Sequence, residues 1–108
     1  MKWVETIRLL APVSREQWRR QIEPAIRNIL KATCAAPGPV EAKLYLNANQ
    51  GGDVSLVLFW EEERLQPQGS REGLSLASSL KNFGLVNHSV WTEIGQRATR
   101  KPPAGPGF

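Results

Sequence analysis

The sequence predicts an α+β domain with the element order β-α-β-β-α-β. Three observations point there. Four short stretches are strand-like, most of them alternating apolar and polar residues with a period of two. Two longer stretches repeat apolar residues at spacings of three and four, as one helix face does. Segments rich in proline, glycine and asparagine separate them. At 108 residues the chain fits a single domain, assigned to residues 1–95. Residues 96–108 carry arginine, lysine, proline and glycine and are expected to form a flexible basic tail.

Val4 to Leu10 is rich in strand formers, and Pro12 stops it. Ser14 and Gln17 then have the spacing of a capping box, in which each side chain satisfies a free backbone N–H of the other. Trp18, Ile22, Ala25, Ile26, Ile29 and Leu30 mark one helix face, and the nearby arginines lie mostly on solvated faces. Pro24 sits inside this pattern. It lacks a backbone donor and crowds the preceding turn, so a kink or a split is expected there. Pro37-Gly38-Pro39 ends the helix.

Glu41 to Asn47 puts Leu44 and Leu46 on one side and Lys43 and Tyr45 on the other. The turn Asn49 to Asp53 joins it to Val54–Trp60, giving a hairpin. Ser70 caps a second helix, whose apolar positions are Leu74, Leu76, Ala77, Leu80 and Phe83, with Gly84 as its stop. Asn87 to Ile94 is the last strand: His88, Val90, Thr92 and Ile94 share one side, Ser89, Trp91 and Glu93 the other.

Charge and composition exclude several classes of function. Of 14 basic residues, Arg97, Arg100 and Lys101 lie in the last twelve positions, which leaves 11 against 10 acidic residues in the body. That balance gives no concentrated phosphate-binding footprint, so no nucleic-acid partner is expected. The lone cysteine, Cys34, rules out an intrachain disulfide and a Cys-rich metal site. It is expected to be half-buried at a helix end. No signal-peptide pattern opens the chain, and the longest apolar run, Val54 to Trp60, cannot span a bilayer. A cytoplasmic protein without a membrane partner is expected.

The strand Val54–Trp60 is apolar on both sides. Val54, Leu56, Leu58 and Trp60 face one way, Val57 and Phe59 the other. Right-handed crossovers in this order put both helices on one face of the sheet, which leaves the other face bare. Val57, Phe59 and Trp91 would then hold a large apolar patch in water. A homodimer packed sheet to sheet is expected to cover it.

The strand Val54–Trp60 with Glu61-Glu62-Glu63 after it, the interrupted first helix at Pro24 and the closing strand Asn87 to Glu93 resemble the antibiotic biosynthesis monooxygenase (ABM) superfamily. The resemblance covers about residues 3–95. It implies a ferredoxin-like monomer, with a four-stranded antiparallel sheet and helices on one face, that pairs into a dimeric α/β barrel. It also implies a ligand between helices and sheet, and members that oxygenate aromatic or quinol-like molecules without a cofactor. Trp60 could match the Trp of the family's cavity. The first strand has no Asn, and His88 lies away from the haem-degrading pattern, so the likeness does not extend to haem chemistry.

His88, the only imidazole, is the candidate catalytic base and, with Trp60, a candidate ligand-binding residue. A strand-entrance histidine bonded to a loop carbonyl would look the same in sequence. Trp60 could equally be core, Trp18 reads as core, and Trp3 as surface. Arg8 could meet an anionic ligand or pair with Glu93 or Glu5 across a dimer. Glu61, Glu62 and Glu63 point in different directions in extended chain and have no supporting ligands, so no metal or cofactor site is assigned. Two functions stay open: a cofactor-independent monooxygenase acting on an aromatic or quinol-like small molecule, and a non-catalytic homodimeric small-ligand-binding or interaction module.

Overall fold

In the computed structural model, residues 2–35, 37–61, 64–95 and 98–100 are described. Most of the expected tail, together with Glu62 and Glu63, lies outside them. The elements run β1 (Trp3–Leu10), α1 (Arg15–Gln17), a π turn (Trp18–Ile22), α2 (Glu23–Thr33), β2 (Glu41–Leu46), β3 (Asp53–Trp60), α3 (Arg71–Leu80) and β4 (Leu85–Thr92). The sheet has four strands in the order β2-β3-β1-β4, antiparallel throughout. The element order is the one the pattern predicts, and the arrangement is the ferredoxin-like one that the resemblance implies.

Side-chain parity decides the layers. Trp3, Ile7 and Leu9 of β1 and Val54, Leu56, Leu58 and Trp60 of β3 are all buried. They pack in one core with Trp18, Ile22 and Ile26 of the first helical segment and Leu76, Ala77 and Leu80 of α3. Each fully buried side chain of this size contributes about 1.5–3 kcal/mol relative to exposure. Val57 and Phe59, on the other face of the sheet, are only half-buried.

The capping box forms. Gln17 N–H donates to Ser14 Oγ at 3.2 Å, and Ser14 N–H donates to Gln17 Oε1 at 2.9 Å. The strain expected at Pro24 is absorbed just before it. The chain widens into the π turn Trp18–Ile22, and the Glu23 N–H bonds to the Trp18 carbonyl. Pro24 then lies in the first turn of α2, where a missing N–H costs nothing. The helix therefore continues instead of breaking.

Several expectations need correction. Trp3 is core, because it shares the parity of Ile7 and Leu9. Cys34 is exposed, since it caps α2 on the outside. The second helix stops at Leu80, so Phe83 packs from the turn after it. Gly84 has no positive φ; it is small because a Cβ there would overlap the Leu10 carbonyl. Ile94 lies past the end of β4 and is exposed.

Arg8 points to the open face, away from Glu5. Its guanidinium donates twice to Asp53, Nε to Oδ1 at 2.9 Å and Nη2 to Oδ2 at 2.7 Å. Asn47 Nδ2 also donates to Asp53 Oδ2, at 2.9 Å. The partner expected for Arg8 across a dimer is thus supplied from its own chain. Elsewhere on this face Trp91 Nε1 donates to Thr6 and Ser89 hydroxyls at 3.0 and 2.9 Å, and Lys43 sits over the Phe59 ring at 5.4 Å.

Candidate functional site

Glu5 has the parity of Trp3 and Ile7, so the central strand carries a carboxyl into the core. Its side chain is 0% exposed. β4 runs beside β1 with His88 opposite Ile7 and Val90 opposite Glu5. His88 is therefore a diagonal neighbour of Glu5 on the same face, within reach of a long side chain. Its Nε2 lies 2.7 Å from Glu5 Oε2, and the imidazole is 15% exposed. A burial cost on this carboxyl is offset only by such bonds.

The third partner is α3. Ser70 is its N-cap: Gly73 N–H donates to Ser70 Oγ at 2.8 Å, and Ser70 N–H donates to Glu5 Oε2 at 3.2 Å. The positive end of the helix thus faces the carboxyl, a favourable arrangement for negative charge. Two glycines make room. A Cβ on Gly73 would overlap Glu5 Oε2, and a Cβ on Gly69 would overlap the Cε1 edge of His88. Gly69 also has φ +103°, a conformation that favours glycine. Glu5 Oε1 has no hydrogen-bond partner among the described residues.

Gly69 also lines a groove of about 450 Å³ with Arg64, Leu65, Gln66, Pro67 and Gln68. The imidazole packs against Gly69 and is not itself among the residues that line this groove. The space between helices and sheet is occupied by Trp18, Ile26, Leu56, Leu58, Leu76 and Leu80, all fully or almost fully buried.

Trp60 is at the other end of the sheet. It pairs with Trp3 across β3 and β1, and the two rings stack with centroids 5.2 Å apart and planes 9° from parallel. Both are among the residues that line a cavity of about 400 Å³, with Phe59 and Trp91. His88 sits four β1 positions away from this level and two strands across. At about 3.4 Å per residue and 4.8 Å per strand, the separation is about 17 Å. The two side chains singled out in sequence thus lie on one face without sharing a cavity.

Glu5 escaped the sequence reading as a partner for His88. The signal was present: its position alternates with Trp3, Ile7 and Leu9, and the ferredoxin-like strand order sets β1 beside β4. Glu61 lies on the edge of the Trp60 cavity, while Glu62 and Glu63 fall outside the described residues. Among the described residues no group of three or more His, Cys, Asp or Glu side chains is arranged to hold a metal ion. No helix there is long and apolar enough to cross a membrane.

The class this architecture defines is the ferredoxin-like α+β fold, the fold that the resemblance drawn from the sequence implies. The chain shares its fold with SnoaB, a cofactor-independent oxygenase from Streptomyces nogalater. For a variant of that protein the TM-score is 0.64 at 12% identity, over 88% of this chain and 95% of that one. A second SnoaB structure gives 0.57 at 11% identity. Rv0793 from Mycobacterium tuberculosis matches with a TM-score of 0.61 at 17% identity, over 91% of this chain and 100% of that one. No family model and no curated protein matches the sequence.

Proposed function

We propose that the chain is a cofactor-independent monooxygenase acting on an aromatic or quinol-like small molecule, with His88 as base and Glu5 as the residue that positions it. The observation that carries this reading is the 2.7 Å contact between a fully buried carboxyl and the only imidazole. When Nε2 donates to Glu5, Nδ1 keeps its lone pair, the division of roles used by carboxylate-oriented histidine bases. The shared fold with SnoaB, itself a cofactor-independent oxygenase, supports the same reading.

The chemistry closes without a cofactor. A substrate hydroxyl gives its proton to His88 Nδ1. The resulting electron-rich ring adds dioxygen at carbon, and a C–O bond forms. The peroxide then takes the proton back and loses water, leaving a quinone. All four electrons come from the substrate, two on forming the peroxide and two on losing water; one oxygen atom stays in the product and the other leaves as water. Oxygen uptake with a panel of naphthols and hydroquinones tests this. His88→Gln should lower the rate by about 100-fold or more, the usual scale of a lost general base. Glu5→Gln, which keeps the shape, should lower kcat and shift the pH profile. An unchanged rate in His88→Gln removes the proposal.

A second reading, a non-catalytic homodimeric small-ligand-binding or interaction module, is favoured by the side chains that fill the space between helices and sheet. Under both readings we propose a cytoplasmic homodimer through the open sheet face, where Val57 and Phe59 stay half-buried and Trp91 is exposed.

A further inference from the structure

We infer that the turn Gln66–Gly69 is a lid over His88, closed in this structure, that lifts to bring the imidazole into the groove lined by Arg64–Gly69. The inference deepens the reading of His88 as a base and rests on it for its purpose, but its test needs no turnover.

The first observation is what keeps the imidazole from the groove. Gly69 is buried against the ring, where a Cβ would overlap Cε1 and stand 3.1 Å from Nε2 and 3.2 Å from Nδ1. Cε1 lies between the two ring nitrogens, so the Gly69 backbone covers the edge that both of them share. The same glycine lines the groove, and His88 does not. Gly69 thus belongs to both places: it covers the imidazole and walls the groove.

The second is how lightly the turn is held. Gly69 N–H donates to the Gln66 carbonyl at 2.9 Å, a bond internal to the turn. Pro67 and Gln68 are exposed. Segments with few buried contacts open locally at low free energy, without the rest of the domain.

The third is where the turn is anchored. Leu65 packs against the core before it. Ser70 is fully buried after it, with its N–H bonded to Glu5 Oε2. Fixed ends around a short exposed span are the layout of a hinged flap. Gly69 supplies the hinge at φ +103°, a conformation in which a side chain is strained.

Diethyl pyrocarbonate, which acylates imidazole nitrogen, is the probe. His88 is the only histidine, so mass spectrometry of a single peptide reads the lid. At pH 7 His88 should react about tenfold or more slower than N-acetylhistidine amide, the protection of a locally closed state. Gly69→Ala puts a methyl group into the ring edge and strains the closed turn. It should raise the rate by about 5–30-fold, the effect of such strain on a two-state equilibrium. Pro67→Gly leaves Gly69 in place and loosens the turn, and should raise the rate about two- to fivefold. Urea well below the unfolding midpoint should leave the native rate flat, because a short turn exposes little surface. Native His88 reacting as fast as the free amide, unchanged rates in both variants, or a native rate that climbs with urea in parallel with global unfolding would overturn the inference. The catalytic reading fails separately, on oxygen uptake in His88→Gln.

Discussion

Gly73→Ala should destabilise the protein, although it replaces a helical glycine by the best helix former. In a helix the exchange is worth about 1 kcal/mol in favour of alanine. At this position the new methyl group overlaps Glu5 Oε2. Glu5 cannot swing aside at low cost. It is fully buried, and the same oxygen accepts from Ser70 N–H and contacts His88 Nε2. Overpacking a core typically costs about 1–3 kcal/mol, and each bond to a charged group lost in the adjustment costs about 1.5–3 kcal/mol more. With one such bond lost and the helix gain subtracted, the net loss should be about 1.5–5 kcal/mol. For a domain of this size that lowers Tm by about 4–8 °C per kcal/mol. Urea unfolding at one protein concentration, followed by circular dichroism, should give a lower midpoint at unchanged slope. In a Glu5→Ala background the carboxyl is gone, and the alanine should become neutral or stabilising by up to about 1 kcal/mol. A higher midpoint for Gly73→Ala in the native background would refute the placement of Glu5 against the first turn of α3.

Two further outcomes test the open face. The hydrogen bonds from Arg8, assisted by Asn47 and by the charge of Arg8, hold the Asp53 carboxyl below its usual value against the opposing effect of burial. A lowered folded value means that the stabilisation is complete above the unfolded value of about 3.9 and is lost as pH falls through the folded value beneath it. Urea midpoints should therefore drop on the acid side of about pH 4, and Asp53→Asn should flatten that limb. If the proposed dimer forms through this face, Val57→Glu should shift sedimentation from a species of twice 12.0 kDa to the monomer; a native chain that already sediments as a monomer removes the dimer.

Much of the fold was legible because binary pattern dominates it. The alternation in Val54–Trp60 and the spacing of Trp18, Ile22 and Ile26 recur unchanged in the core. The elements that differ are those where local chemistry competed with pattern. Gly84 looks like a helix stop by type, yet its role is set by the backbone of β1 passing beside it, a contact between residues far apart in sequence. Pro24 signalled a disruption, but which backbone turn absorbs it depends on where the carbonyl of Trp18 can reach. Cys34 follows the same logic: a residue type usually buried stands outside because the helix ends there.

The candidate site was legible only by halves. His88 and Trp60 announced themselves by residue type, while their separation depends on strand register. Glu5 was hidden for a different reason. A carboxyl in a strand that also carries Arg8 invites pairing with that cation, and parity alone, which sends the two to opposite faces, argues against it. Once β1 lies next to β4, Glu5 and His88 meet without any local sequence signal.

Stability does not account for that meeting. Buried ionisable pairs are often replaced by apolar residues of similar volume with no loss, and sometimes with a gain. Leucine at position 5 and valine at position 88 would continue the surrounding core, and Leu58 and Val90 beside them are already of that kind. Instead the fold opens space on two sides of the pair, with Gly73 against the carboxyl and Gly69 in a left-handed conformation over the imidazole. It also turns the N-terminus of α3 toward the same oxygen. A helix end, two glycines and a central strand position all accommodate one polar contact that an apolar core does not need.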